Sequence, residues 1–207
     1  MSLRTDIERI FHGKVFVRPL FYEYGQALRF ELSEGDSAIA QFLSALNKAL
    51  TICEDIFAPD EDLVVCLRFW HDGSRFEHRK MLRELRAADI RPPRARCLWD
   101  EPVPEEDRIE EGLNERWANI AFSVPRAKLQ NLLWCALSHD FSSIRPNPGG
   151  LIYLFDLSKE IAVWPYDDRG MDVAGNDTQF LASLYKKHER FLLDHDRSAM
   201  DAKFGIL

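Results

Sequence analysis

The chain has 207 residues, 46% apolar and 29% charged, with 27 Lys+Arg against 34 Asp+Glu for a formal net charge of −7. That balance belongs to a folded globular protein and excludes a disordered tail, a collagen-like fibre and a membrane-spanning chain. A sequence pI near 5.4 argues against wholesale binding to nucleic acid or an anionic membrane, because attraction to phosphate needs net positive surface.

Residues 4–11 read as a short helix with Ile7, Ile10 and Phe11 inward. The polar residues before it offer no apolar leader segment. Residues 27–32 alternate Leu28, Phe30 and Leu32 with Arg29 and Glu31, the pattern of a half-buried strand. A turn at residues 34–37 also supplies an N-cap. From there Ile39, Phe42, Leu43, Leu46, Ala49, Leu50, Cys53, Ile56 and Phe57 recur at three- and four-residue steps, which predicts a long amphipathic helix ended by Pro59. Residues 63–70 are β-rich and apolar, a more buried strand. A basic helix follows at about 75–88, with Phe76, Leu82 and Leu85 inward, and a short strand at 95–99.

Residues 100–115, with Pro102, Pro104 and a surplus of acids, read as the main surface connection. Residues 117–124 form a strand, and Pro125 suits the first turn of a helix carrying Leu129, Leu132, Leu133, Ala136 and Leu137. A Pro-Gly-rich loop at 145–150 leads to a hairpin, 151–157 with 160–166, and a third strand at 171–174. A last helix spans about 177–195, capped by Asp177 or Thr178. The order predicts an α+β protein: a mixed or antiparallel sheet with helices packed on one face, opening strand-helix-strand and closing on a three-strand meander and a helix. The expected organisation is one domain over 1–207. Two lobes, 1–99 and 116–207, joined by the acidic linker 100–115, are the alternative.

Cys53, Cys66, Cys97 and Cys135 lie far apart in apolar surroundings with no CxxC pair, as expected of reduced thiols in a cytoplasmic protein. There is no GxxxxGK[ST], GxGxxG, GxSxG or HExxH, so the commonest nucleotide and hydrolase signatures are absent. The densest polar cluster is Tyr166-Asp167-Asp168-Arg169-Gly170 with Asp172. Its carboxylates suit either a hard cation and acid–base chemistry or, as we expect, a turn in which Asp bonds the backbone and Gly170 takes positive φ. His188 and His195 fall on the stripe Leu181, Leu184, Tyr185, Phe191 and Leu192, seven residues apart on one helix face. Packed histidines are the expectation, and a base for a metal-assisted hydrolase using Asp167, Asp168 and Asp172 is the alternative.

Charge is segregated in the middle of the chain. Residues 75–96 hold eight Arg or Lys against three acids, and residues 97–115 hold eight acids against Arg108. The bland reading is two strips that neutralise each other across a solvated face; the sharper one makes the acidic strip, with Glu105, Glu106, Glu110 and Glu111, a surface for a basic protein partner. The basic strip with Arg79, Arg83 and Arg86 offers nucleic-acid binding as a second alternative. Trp99, Trp117 and Trp134 are the candidate exposed aromatics; Trp117 or Trp134 suits an interface anchor, against the commoner place of a large aromatic partly in the core.

Four stretches taken together, Leu28-Arg29-Phe30-Glu31-Leu32, residues 49–62 closing on Ile56-Phe57-Ala58-Pro59-Asp60, residues 166–173 and residues 184–197, resemble in order and spacing a bacterial family of unknown function, domain of unknown function 3885. The Tyr-Asp-Asp-Arg-Gly block is the most specific part. The resemblance implies a bacterial origin and carries no activity. The family pattern tends to hold Tyr or Trp where this chain has His188, Phe191 and His195, a departure that weighs against catalytic histidines. The reading drawn is a non-enzymatic, cytoplasmic, protein-binding domain of immunity-like or regulatory kind, with no cofactor, metal or membrane partner.

Overall fold

Every strand pairs antiparallel with its neighbours, in the order β1-β7-β6-β5-β2-β4-β3. The computed structural model describes residues 2–71, 75–104 and 115–205, without the side chains of residues 75–78. In chain order the elements are α1 (Leu3–Ile10), α2 (Leu20–Glu23), β1 (Ala27–Glu31), α3 (Ala38–Ile56), β2 (Asp62–His71), α4 (Arg75–Ala87), β3 (Cys97–Pro102), β4 (Arg116–Pro125), α5 (Leu129–Leu137), β5 (Leu151–Asp156), β6 (Ile161–Asp167), β7 (Gly170–Gly175), α6 (Thr178–Lys187) and α7 (Arg197–Phe204). This is the expected α+β class. The meander β5-β6-β7 forms its middle, extended by β1 on one side and by β2, β4 and β3 on the other.

The local signals act as the sequence predicts. The Ser37 side chain accepts from Ala40 N at the start of α3, and Asp177 accepts from Phe180 N at the start of α6. In the β5–β6 hairpin Asp156 Oδ1 accepts from Ser158 N and Lys159 N, fixing the turn. Helices α3 and α5 pack on one another and over one sheet face, where Cys53 Sγ of α3 lies 4.0 Å from Met171 Sδ of β7. On the opposite face lie the N-terminal segment and α7: Phe16 meets Tyr153 of β5 edge-on at 5.0 Å, and Phe21 N donates to Asp172 of β7. Both faces of the central strands are therefore buried, and each large apolar side chain they enclose contributes about 1.5–3 kcal/mol.

Four local expectations change. Strand β1 is not half-exposed: Arg29 is buried and only Glu31 faces water, because the N-terminal segment and α7 cover the second face. Ile39 and Leu43, at the start of α3, stand 69% and 47% exposed, so the buried stripe of that helix begins at Phe42. The last helix stops at Lys187. Short 3₁₀ turns at Glu189–Phe191 and Asp194–Asp196 follow before α7. Between them Leu192 bridges Phe30 and Leu193 N donates to Arg29 O, so the free edge of β1 takes hydrogen bonds that a continuous helix would have kept for itself. The connection expected at 100–115 also begins and ends in paired backbone. β3 reaches Pro102, which pairs with Arg116, and Val103 N donates to Glu115 O. Glu105, Glu106, Glu110 and Glu111 lie outside the described residues. Among the described residues no helix is long and apolar enough to cross a membrane.

Candidate functional site

The polar residues singled out by sequence are distributed over separate structural tasks. Asp167 Oδ1 accepts from Arg169 N at 2.8 Å and its Oδ2 takes the Arg169 guanidinium, closing the β6–β7 turn. Gly170 in that turn has no positive φ; its requirement is room. A Cβ there would sit 1.9 Å from Tyr166 Oη and 2.7 Å from Phe30 O. Asp168 is buried beside Asp167, and burial followed by that neighbouring carboxylate raises its pKa.

Asp172 belongs to a different cluster, beneath the N-terminal segment. Its carboxylate takes the Arg29 fork at 2.7 Å from Nε and 3.0 Å from Nη2, with Phe21 N as a third donor at 3.0 Å. Arg29 Nη1 also reaches Asp196 Oδ2 at 3.2 Å, and Tyr22 Oη donates to Asp196 Oδ1. Burial pushes the Asp172 carboxyl up against the opposing pull of Arg29. Burial likewise works against the Arg29 charge, but the bonds to Asp172 outweigh it and raise its pKa. The cluster fastens β1, β7, α2 and the segment before α7 to one another.

His188 caps α6 on the other side of β1. Its Nε2 lies 2.7 Å from Asp55 Oδ2 of α3, and its ring packs against Phe30 and Phe191. His195 is exposed. Asp172 and His188 are thus buried in different hydrogen-bonded groups, and no cluster of three or more metal-ligating side chains occurs among the described residues. The thiols of Cys53, Cys66 and Cys135 are buried, and burial raises all three, Cys135 to about 12.

A different place stays open. On the face of β3 and β4 that carries Cys97, Trp99 and Asn119, a buried network closes the sheet. Arg68 of β2 donates to Glu101 Oε2 at 2.5 Å and Asn119 Oδ1 at 3.0 Å, Trp99 Nε1 donates to Glu101 Oε1 at 2.8 Å, and the Arg68 guanidinium lies 4.7 Å from the Phe16 ring centroid. Residues 98, 100, 118 and 120 alternate to the other face. There, α4 and the following loop leave a groove of about 810 Å³ between themselves and the sheet end. Leu82, Leu98 and Ile120 give it an apolar lining, with Leu98 58% exposed, while Arg86, Arg91 and Arg96 bring three cations and Asp100 one acid. Among the described residues neither Arg86 nor Arg91 makes an ion pair.

Sequence reasoning counted these arginines within a basic strip but placed neither Leu98 nor Ile120 beside them. The readable signal was Leu98-Trp99-Asp100, an alternating edge strand next to a cationic run. Of the three aromatic candidates, Trp99 is buried, and Trp134 packs edge-on against Phe42 at 4.7 Å. Trp117 lies under the Arg68 guanidinium at 5.0 Å.

The fold and these clusters define an antiparallel α+β domain held by buried ion pairs. The chain belongs to the family described as Domain of unknown function (DUF3885), whose model matches residues 3–196. It is similar to the uncharacterized protein YnaE of Bacillus subtilis (strain 168), 19% identical over 217 residues that cover 94% of this chain and 99% of that protein. No solved structure matches the chain.

Proposed function

We propose that the chain is a protein-binding module whose groove beside β3 receives an acidic segment of another protein. The observation that carries this reading is the pairing of an apolar floor, exposed Leu98 with half-buried Ile120, and the guanidiniums of Arg86, Arg91 and Arg96 in one groove of about 810 Å³. Arginine beside aliphatic surface is the composition of an interface centre, where the apolar floor supplies affinity and the cations select sign. The sign preferred here is opposite to that expected of the acidic strip, whose Glu105, Glu106, Glu110 and Glu111 lie outside the described residues. Protein is favoured over nucleic acid on two counts. The lining is mainly aliphatic, and its Trp99 is buried with the indole N–H on Glu101, a poor platform for stacking bases. The net charge of −7 also repels a polyphosphate outside the groove itself.

The test is fluorescence anisotropy with a short labelled peptide alternating Glu and Leu, against a Lys-Leu counterpart and a single-stranded oligonucleotide. The acidic peptide binds, and reversing Arg86, Arg91 and Arg96 to Glu weakens it at least tenfold, roughly 1.4 kcal/mol. Equal affinity for the Lys-Leu peptide, or none lost on charge reversal, overturns the reading. Tighter binding of the oligonucleotide transfers the groove to nucleic acid.

A further inference from the structure

The two edges of the sheet differ. Along β1, Leu192 bridges Phe30 and Leu193 N donates to Arg29 O, so an extended piece of chain covers that edge. Along β3, no backbone group outside β4 bonds to residues 97–101 among the described residues. An uncovered edge is a template for a further strand, because its outward N–H and C=O groups lack a ladder partner.

The register decides which groups point outward. Val103 N donates to Glu115 O, and these two residues continue the pairing of Pro102 with Arg116. Hydrogen-bonded pairs alternate with non-bonded ones in an antiparallel ladder. Trp99 and Glu101 therefore bond toward β4, while Leu98, Asp100 and Pro102 turn their backbone groups away from it. Pro102, with no N–H to offer, falls in the outward phase, where an edge strand tolerates proline. Arg96 shares that phase. Its N–H is taken by Arg94 O at 3.1 Å, and its carbonyl has no backbone partner among the described residues.

Arg96, Leu98 and Asp100 also share a face, since all three are exposed and line the groove. The Arg96 guanidinium donates to Pro93 O at 2.8 Å and makes no ion pair among the described residues; Asp100 lies 3.8 Å from His71 Nε2. A second copy laid antiparallel along this edge, with the two-fold axis at Leu98, sets Leu98 against the partner's Leu98. It also sets Arg96 against the partner's Asp100, and by symmetry Asp100 against the partner's Arg96. Leu98 N–H and C=O are then exchanged with the partner, and Asp100 N–H meets the free carbonyl of the partner's Arg96. Other registers in the same phase are worse. An axis at Asp100 or at Arg96 opposes like charges, and the registers between them set a charge against Leu98.

We propose that two copies of this chain associate through antiparallel pairing of their β3 edges, centred on Leu98 and selected by the Arg96–Asp100 contacts. The pairing leaves Arg86 and Arg91 of the groove unengaged and does not depend on the acidic-partner reading. Sedimentation velocity of the whole protein across the micromolar range tests it. The parent forms a dimer whose fraction rises with concentration. Arg96→Asp and Asp100→Arg each weaken the dimer by about tenfold or more, because each substitution creates two like-charge contacts across the two-fold. An equimolar mixture of the two variants regains most of the parent's affinity, since every contact between positions 96 and 100 of the mixed pair again joins opposite charges. That recovery also shows that both variants fold. A parent that stays monomeric throughout the range, single variants that dimerise like the parent, or a mixture no tighter than either variant alone overturns the proposal.

Discussion

Asp172→Asn is the sharpest structural perturbation available. The carboxylate is fully buried and accepts two bonds from Arg29 and one from Phe21 N. An asparagine keeps the shape but offers one acceptor oxygen and turns an NH₂ toward the guanidinium or the amide, so at least one donor loses its partner. The Arg29 charge, 9% exposed, then keeps Asp196, at 3.2 Å, as its paired carboxylate. Breaking one side of a buried pair costs about 3–5 kcal/mol. At about 2–4 °C per kcal/mol for a chain of this size, the thermal midpoint falls by about 6–20 °C. Urea unfolding of Arg29→Met, Asp172→Leu and the double variant completes a cycle. The double variant is less destabilised than the sum of the singles, because neither charge is left buried alone. If Asp172→Asn unfolds within 1 kcal/mol of the parent, roughly the scale of an exposed pair, the cluster is not holding β1, β7 and the C-terminal segment together.

Further expectations concern pH, thiols and close contacts. Burial raises the Asp55 carboxyl, but the hydrogen bonds from Lys187 and His188 prevail and its pKa is lowered. That carboxylate therefore stabilises the fold above the ordinary carboxyl range and loses the effect as pH falls through its lower folded value. The stability gap between parent and Asp55→Asn is thus widest near neutrality and closes in acid. Asp168 has the opposite sign, so Asp168→Asn is more stable than the parent at neutral pH and the gain disappears on acidification, as urea titrations at several pH values would show. Cys97, half-buried, alkylates with iodoacetamide in the native protein, whereas Cys53, Cys66 and Cys135 react only on unfolding; mass spectrometry of the labelled peptides distinguishes the sites. Gly170→Ala forces Tyr166 or the Phe30 backbone aside and lowers stability by about 1–3 kcal/mol in urea unfolding, with no contribution from backbone φ.

The elements were legible wherever a local pattern decided them. Ser37 and Asp177 announced helix starts, the Leu129–Leu137 stripe announced α5, and the alternation of Leu28 and Phe30 announced β1. What a single sequence did not expose is the second layer. Arg29 looked like the wet side of a strand because nothing local says that residues 11–24 and α7 will fold over it. Likewise Leu192 and Leu193 keep a helical period of apolar residues, yet the open edge of β1 captures their backbone. The candidate site was legible as charge and illegible as geometry. Arg86, Arg91 and Arg96 were visible as a basic run, but their meeting with Leu98 and Ile120 depends on β3 pairing with β4, a contact set by the sheet and not by spacing along the chain.

Engagement of an acidic protein segment by the groove beside β3 is open to a test inside the cell. Photocrosslinking in bacterial cells, with a benzophenone side chain at Leu98 and a control at Tyr22, which is 57% exposed and well outside the groove, addresses it directly. The expected result is a protein adduct at position 98 whose crosslinked peptide is rich in Asp and Glu, absent at position 22 and lost when Arg86, Arg91 and Arg96 are reversed to Glu. An adduct at both positions alike, a crosslinked peptide without acidic character, or labelling at position 98 that survives charge reversal would contradict it.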